Sequence, residues 1–277
     1  MTSRRVLSLL AFVLAASALT GCAGGDTLSL DPVAKAAAVT SKTTSSRFTF
    51  SASMDVANAG SMSFQGYGLY DGKARSGWMS MHFALPTQLQ AQLGSVDPSM
   101  EMLFDGSHGL VMYMRSSLFD RRVPSGKWVK IDVASLARKE GVDVNALLNA
   151  NQADPSQALR LLTASSGARA TGHAVVRGVD TTHYAFRIDY RRLLEQNRTL
   201  ERFADIAGTS SIPAEAWIDS RGRVRKLTVT MSLGARLGTP MTMTMTEELY
   251  DFGVEANITP PPGDMVVDYT ALAGSAS

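Results

Sequence analysis

Cysteine is nearly absent from this chain of 277 residues, whose only example is Cys22. Because a disulfide within the chain needs two cysteines, the fold has to be stabilised by its core, even in an oxidising compartment. Long apolar runs are also scarce. After the N-terminal segment, no stretch approaches the roughly 20 apolar residues that a membrane-spanning helix needs.

Catalytic and metal-binding signatures are missing as well. The sequence contains neither H-E-x-x-H nor G-x-S-x-G, and its four histidines are scattered with no second histidine or carboxylate at ligand spacing. The glycines at 66, 68 and 72 have the wrong spacing for a dinucleotide loop and fall in a predicted strand and turn. The sequence therefore predicts no enzyme, no catalytic residue, no metal site and no cofactor, and a hydrolase is the least favoured function.

The charge of the chain is almost balanced. The full sequence carries 27 Lys and Arg against 25 Asp and Glu. Removal of residues 1–21 would take away Arg4 and Arg5 and no acidic residue, which leaves 25 groups of each sign. Since nucleic-acid-binding proteins carry a concentrated basic excess, we expect no nucleic-acid partner.

The N-terminus has the pattern of a lipoprotein signal peptide. Arg4 and Arg5 precede an almost continuous apolar run at 6–19, and Leu-Thr-Gly-Cys follows at 19–22. An uncleaved anchor is disfavoured because the run is too short to span a bilayer. We therefore predict that residues 1–21 are removed and that Cys22 receives acyl chains such as palmitate. The acylated cysteine would hold the protein on the extracytoplasmic face of the cell membrane.

Two segments follow the predicted cleavage site. Residues 22–30 are rich in Gly, Asp, Thr and Ser and predict a flexible tether. The remaining 31–277 are expected to form one domain, which starts with a helix because Asp31 and Pro32 have the pattern of an N-cap and a first helical residue.

Strand patterns dominate the domain. Apolar and polar residues alternate at 47–56, and turn signals separate four further strands before residue 116. Short helical runs are predicted at 134–139, 144–150 and 155–164, and a longer helix follows Asp189. Strands are predicted again at 173–176, 182–189, 214–219, 224–233 and 241–252. This order indicates an α+β, mainly β fold with a single curved antiparallel sheet and helices packed against one face.

Methionine is the unusual component. Twelve of the fourteen methionines fall on predicted strands, and several come in i, i+2 pairs whose side chains share a face of the sheet. Unbranched methionine is not the residue that strands prefer, but it forms an adaptable, polarisable apolar surface. The strand methionines are Met54, Met62, Met79, Met81, Met100, Met102, Met112, Met114, Met231, Met241, Met243 and Met245.

Two interpretations of this pattern remain equally open from composition. The methionines and nearby phenylalanines could line a cavity for acyl chains, or they could fill an ordinary packed core. If a cavity exists, its candidate lining residues are Phe48, Phe50, Met54, Met79, Met81, Phe83, Met100, Met102, Phe104, Met112, Met114, Met231 and Met243.

Several segments together resemble the LppX/LprG type of mycobacterial and actinobacterial lipoproteins, which are similar in fold to the lipoprotein carrier LolA. The resemblance covers roughly residues 40–266, and each segment is degenerate by itself. The matching segments are 110–115, Gly-Lys-Trp-Val-Lys-Ile-Asp at 126–132, Gly-Val-Asp-Thr-Thr-His-Tyr at 178–184, Ile-Asp at 188–189, Ile-Pro-Ala-Glu-Ala-Trp-Ile-Asp at 212–219, Gly-Arg-Val at 222–224, Tyr-Asp-Phe-Gly at 250–253 and Ile-Thr-Pro at 258–260.

The resemblance implies a half-barrel sheet wrapped over helices, with the helices against its concave face. An apolar cavity between sheet and helices would bind the acyl chains of a lipid or lipoglycan and carry them within the cell envelope. Cys22 matches the lipidated position of the family. A membrane transporter is a possible further partner under this interpretation. The alternative function is a sensory or protein-interaction lipoprotein that uses the same fold to bind a protein.

Overall fold

The computed structural model describes most of the domain that follows the tether. The described residues are 31–56, 60–94, 96–107, 110–119, 123–139, 159, 161–189, 191–192, 211–233 and 241–274. Residues 1–30, and with them the predicted signal peptide, tether and Cys22, lie outside the described residues. The predicted helix at 144–150, most of the one after Asp189 and half of the one at 155–164 lie outside them too.

Strands make up most of the described chain. They are β1 (Ser45–Val56), β2 (Gly60–Asp71), β3 (Ser76–Ala84), β4 (Ser99–Asp105), β5 (Val111–Arg115), β6 (Trp128–Asp132), β7 (Ser165–Val176), β8 (Val179–Asp189), β9 (Ser211–Asp219), β10 (Val224–Leu233), β11 (Met241–Tyr250) and β12 (Val266–Asp268). The helices within the described residues are α1 (Pro32–Thr40), α2 (Thr87–Leu93), α3 (Val133–Lys139) and α4 (Tyr269–Gly274). Short 3₁₀ turns lie at Ser117–Phe119 and Gly263–Met265.

All twelve strands belong to one sheet. Their order is β12-β6-β5-β4-β3-β2-β1-β11-β10-β9-β8-β7, so β12 and β7 are the edges and the described strands do not close into a barrel. Neighbouring strands are antiparallel except at one edge, where β12 runs parallel to β6. The described strands form a single, mainly antiparallel sheet, as predicted from the sequence.

The two faces of the sheet differ sharply in chemistry. The register pairs Phe48 of β1 with Gly68 of β2 and with Leu249 of β11. These three residues, and every second residue from each of them along its strand, therefore lie on the same, apolar face. The residues between them, such as Thr49 and Ser51, occupy the opposite, polar face. Because strand side chains alternate with a period of two, this one register fixes the facing of both strands that flank β1.

Helix α1 covers part of the apolar face, where it packs against β7, β9 and β10. Val33, Ala36 and Ala37 are buried in this contact, and the small alanines allow the helix to approach the sheet closely. The helix starts where the sequence predicts, because Asp31 Oδ1 accepts a hydrogen bond of 2.9 Å from the N–H of Val33. The same oxygen accepts a bond of 2.9 Å from the hydroxyl of Ser165, which ties the start of α1 to β7.

Glycines on the apolar face make room for aromatic rings of the neighbouring strands. A Cβ at Gly68 would lie 2.4 Å from the Phe48 ring and 2.4 Å from the carbonyl oxygen of Trp78. A Cβ at Gly77 would lie 2.1 Å from the Phe104 ring. Phe48 and Phe104 are each only 3% exposed. Their rings pack directly against the backbone at Gly68 and Gly77, where any larger residue would collide with them.

Some element boundaries differ from the sequence-based predictions. Strand β7 begins at Ser165, although a strand was predicted only at 173–176. Strand β9 begins at Ser211 instead of 214 and includes Pro213. Helix α2, strand β12 and helix α4 were not predicted.

Candidate functional site

The candidate site is the apolar face where it crosses β1–β5 and the neighbouring strands β11 and β10. The register places the methionines of these strands in cross-strand pairs: Met79 opposite Met102, Met81 opposite Met100, and Met54 opposite Met243. Met102 also pairs with Met114, and Met231 with Met243. We call this region of the sheet the methionine face.

The structure places all thirteen predicted lining residues on this one face. Three of them are buried: Phe48 and Phe104 are 3% exposed, and Met79 is 5% exposed. The other ten are half-buried. These are Phe50, Met54, Met81, Phe83, Met100, Met102, Met112, Met114, Met231 and Met243.

The rest of the apolar face is packed much more tightly. Its residues on β8–β10 range from 0% exposed at Ile188 and Ala216 to 8% at Ile218. They form the core cluster together with α1 and with residues of the segment 159–164, such as Leu162, which is 0% exposed. We call this region the packed half, and it comprises Phe186, Ile188, Ile212, Ala214, Ala216, Ile218, Val224, Leu227 and Val229. The apolar face thus changes from small and branched residues that are fully buried to methionines that are partly open.

A line of phenylalanine rings crosses the methionine face. The ring centroids of Phe48 and Phe50 are 6.2 Å apart, those of Phe50 and Phe64 are 6.0 Å apart, and those of Phe64 and Phe83 are 6.2 Å apart. These distances are in the range of favourable aromatic contacts. The rings give the face a fixed framework, between which the flexible methionines can adjust their shape.

Several residues of this face were not among the predicted lining residues. Met62, Phe64, Met241 and Met245 lie on it, as the pairing of Met54 with Met62 and of Ala52 with Phe64 and Met245 requires. These residues alternate with serines and threonines along their strands, as the predicted lining residues do, so the same pattern could have identified them. Glu247 also lies on this face, opposite Phe50 and Leu227, and is half-buried. The alternation of Met241, Met243 and Met245 continues in steps of two to Glu247, so the sequence pattern carries this placement too.

A cavity of about 630 Å³ opens at the end of α1, beside β1 and β2. Ala37, Tyr70 and Leu159 form apolar parts of its wall, and the exposed Lys42 and Lys73 lie at its rim. Tyr70 stacks on Phe104, with a centroid distance of 6.0 Å, so this cavity adjoins the aromatic part of the methionine face. Its volume is within the roughly 300–1,000 Å³ typical of ligand pockets.

Charged side chains cluster at one end of the sheet, on and near the polar face. Arg177, in the turn between β7 and β8, donates hydrogen bonds to Glu248 at 2.8 Å and to the hydroxyl of Thr49 at 3.1 Å. Its guanidinium also lies 4.0 Å from the ring centre of Tyr250. Nearby, burial lowers the pKa of the Arg225 guanidinium, and the carboxylate of Asp219 acts in the opposite direction.

Of the histidines that the structure describes, His82 and His183 each lie near a carboxylate, and the buried Nε2 of His183 has no hydrogen-bond partner among the described residues. His82 Nδ1 lies 3.5 Å from a carboxylate oxygen of Asp97, and His183 stacks on Trp217 with ring centres 4.3 Å apart. Within the described ranges, no three His, Cys, Asp or Glu side chains are grouped so that they could hold a metal ion. In the same part of the chain, no helix has both the length and the apolar character needed to cross a membrane.

Comparison with solved structures gives neighbours at low sequence identity. LprF from Mycobacterium bovis has 11% identity and a TM-score of 0.47, over 84% of this chain and 96% of that one. The lipoprotein LppX from Mycobacterium tuberculosis has 13% identity and a TM-score of 0.42, over 84% of this chain and 100% of that one. A LolA superfamily protein from Nitrosomonas europaea has 8% identity and a TM-score of 0.30, over 83% and 96% of the two chains.

These neighbours are of the LppX and LolA types that the sequence resembles. No protein-family model matches the sequence. No curated protein matches it either.

Proposed function

We propose that this protein is a lipoprotein of the cell envelope, anchored through acylated Cys22, that binds the acyl chains of a lipid or lipoglycan on its methionine face and carries them within the envelope. The observation that carries the proposal is the difference in burial between the two regions of the apolar face. Helix α1 covers the packed half, whose residues are buried. On the methionine face, ten of the thirteen predicted lining residues are only half-buried. Apolar surface that the chain does not fully cover is suited to an apolar ligand.

The residue types support the same function. A packed core on strands favours branched side chains, and the packed half has them at Ile188, Val224 and Val229. The methionine face instead has flexible thioethers, which can follow acyl chains of differing length and saturation. Burial of a methylene group contributes about 0.8 kcal/mol, so a chain of about sixteen carbons would gain roughly 12 kcal/mol before the ordering costs.

The cavity at the end of α1 suggests where a polar headgroup would lie. Lys42 and Lys73 at its rim are both exposed cations. Tyr70 lines the same cavity and stacks on the buried Phe104 of the methionine face. An acyl chain on the methionine face could leave its headgroup at this rim, where an anionic group would pair with the lysines.

The proposal is tested by native mass spectrometry of the full chain purified from its own membrane. We expect bound lipid in the wild type. The double variant Met81→Trp, Met102→Trp should lose most of that lipid and keep nearly the same melting temperature after delipidation, because the indoles occupy the space that the acyl chain would fill. The matched control is Val229→Trp, which enlarges a residue that is 1% exposed in the packed half and should lower the melting temperature.

Two results would contradict the proposal. If the double variant is destabilised like Val229→Trp while its lipid content stays unchanged, the methionines belong to an ordinary core. If a protein co-purifies in place of lipid, the sensory or protein-interaction function is favoured.

A further inference from the structure

The polar face of the sheet contains a groove of about 440 Å³, whose lining also includes Phe50, Gly66 and Met81. Its polar wall residues come from five adjacent strands and from the turn between β7 and β8. They are Thr49, Ser51, Gln65, Tyr67, Ser80, His82, Ser99, Arg177, Thr246 and Glu248. The register places Phe50, Gly66 and Met81 on the opposite face, so they border the groove from its floor, and the polar residues form its walls.

The register arranges the wall residues in two rows that run across the strands. One row consists of Glu248, Thr49, Tyr67 and Ser80, each paired with the next. The other row consists of Thr246, Ser51, Gln65, His82 and Ser99, also paired in that order. Since neighbouring strands lie about 4.8 Å apart, each row offers a polar group at regular short intervals.

The hydrogen-bonding groups of these rows suit hydroxyl groups. Serine and threonine hydroxyls and the glutamine amide can each donate and accept, as a sugar hydroxyl does. The hydroxyl oxygens of Thr228 and Thr246, on adjacent strands, lie 3.1 Å apart. Hydroxyl groups on neighbouring strands of this face are therefore close enough to form hydrogen bonds with each other.

Tyr67 adds an aromatic surface to the groove. It is 54% exposed, although it is a large aromatic residue on a polar face. The edge contact with Trp78, at a centroid distance of 5.6 Å, supports its ring from the side. An exposed ring held in this way can stack on the apolar C–H face of a pyranose.

The charges of the groove largely cancel. Arg177 is paired with Glu248 at 2.8 Å, and His82 lies 3.5 Å from Asp97. Because the one arginine of the wall is already neutralised by a carboxylate, the groove lacks the positive excess that a phosphate or another anion would require. Arg177 is also fixed by Thr49 and by the Tyr250 ring, so it forms a rigid end wall.

We propose that this groove is a binding site for a neutral saccharide, whose ring stacks on Tyr67 and whose hydroxyl groups bond to the two polar rows. The saccharide proposal is tested separately from the lipid-binding proposal, because Tyr67 and Gln65 occupy positions of the register opposite to those of the methionine pairs. A glycan of the envelope or the glycan part of an envelope lipid would meet the protein on this face.

The test is saturation-transfer NMR of the full chain with glucose, galactose, mannose and arabinose and their methyl glycosides at millimolar concentration. We expect saturation transfer to the ring C–H protons of at least one sugar. Tyr67→Ala should weaken that binding roughly tenfold, the equivalent of about 1.4 kcal/mol. Gln65→Leu, which keeps the side-chain size and removes the amide, should weaken it as well. The matched control is Tyr113→Ala, which removes a tyrosine on the same face of β5 but outside the groove.

The proposal is overturned if no sugar of the panel receives saturation, or if Tyr67→Ala and Tyr113→Ala bind equally well. Glucose 6-phosphate serves as the charged comparator. Stronger binding of this anion that survives Tyr67→Ala would show an anion site and would also overturn the proposal. Lipid content, measured on the same Tyr67→Ala preparation, should equal that of the wild type.

Discussion

The hydroxyl of Thr40, at the last residue of α1, accepts a hydrogen bond of 2.8 Å from the backbone N–H of Val224 in β10. It also donates a bond of 2.7 Å to the carbonyl of Ala36. Thr40 is 2% exposed and Val224 is 1% exposed, so both bonds are shielded from water. This contact fixes the end of α1 to the packed half and so determines which part of the apolar face the helix covers.

Thr40→Val should therefore destabilise the protein. The substitution keeps the shape of the side chain but leaves the buried N–H of Val224 without an acceptor, at a cost of about 1–3 kcal/mol. The measurement is the free energy of unfolding from a urea titration. Thr40→Ser is the control, because it keeps the hydroxyl and should lose less. Equal losses for the two variants would mean that the methyl group, and not the hydrogen bond, stabilises this contact.

Gly68→Ala should disturb the packing of β2 against its neighbours β1 and β3. The added Cβ would lie 2.4 Å from both the Phe48 ring and the carbonyl oxygen of Trp78, and the backbone atom cannot move aside without breaking the sheet register. Overpacking of this kind costs about 1–3 kcal/mol.

The control for this variant is Gly263→Ala, where nothing lies within 4 Å of the new Cβ. It should leave the melting temperature nearly unchanged. If Gly68→Ala is equally neutral, Phe48 does not lie against Gly68 as described, and the register of β1 with β2 needs revision.

Asp219 and Arg223 form a buried ion pair at the turn between β9 and β10. The Asp219 side chain is 2% exposed and accepts bonds from the Arg223 guanidinium at 2.8 and 3.0 Å and from the N–H of Arg221 at 3.0 Å. Both guanidinium bonds go to Oδ2 and the backbone N–H groups of Arg221 and Arg223 bond to Oδ1. Asp219→Asn should lower the free energy of unfolding by about 1.5–3 kcal/mol, because an amide has one acceptor oxygen and no negative charge.

The matched control is Asp251→Asn. Its carboxylate is 58% exposed and lies 3.5 Å from Arg47, so it is an exposed pair that contributes little. A loss at Asp219 no larger than that at Asp251 would contradict the assigned role of the buried pair.

The sequence was most informative about the faces of the strands. At Phe48, Phe50 and Met54, apolar residues alternate with Thr49, Ser51 and Asp55, and this contrast determines the facing without knowledge of the partner strands. The helix start at Asp31 was equally clear, because an N-cap is a local feature.

Features that depend on distant parts of the chain could not be predicted. The groove on the polar face joins Tyr67 to Arg177 and Thr246, which are brought together only by the pairing of β1 with β11 and by the turn after β7. The split of the apolar face into a packed half and a methionine face depends on where α1 lies, for which the sequence contains no local signal.

Strand β9 shows how a local rule can fail. The strand was predicted at 214–219, but it also includes Pro213, which lacks the N–H that a strand ladder uses. The pairing of β9 with β10 reaches only to Ala214, so the proline lies beyond the last residue of that ladder. It is paired on its other side, opposite Arg187 of β8. The strand therefore continues through Pro213 to Ser211 without interrupting the ladder to β10.

The last prediction concerns the membrane anchor. Cys22 is the only cysteine of the chain, so labelling of the protein with a radioactive or clickable fatty acid through a thiol can occur at one position. Cys22→Ser should abolish this labelling and leave either an uncleaved precursor or a soluble product, because lipoprotein maturation requires the thiol as acyl acceptor. Membrane fractionation after labelling measures both effects. The control is Ser17→Ala in the apolar run, which keeps the cysteine and should label and fractionate like the wild type. Unchanged labelling of Cys22→Ser would end the lipoprotein proposal, while leaving the acyl-binding proposal for the methionine face to be judged by its own lipid measurement.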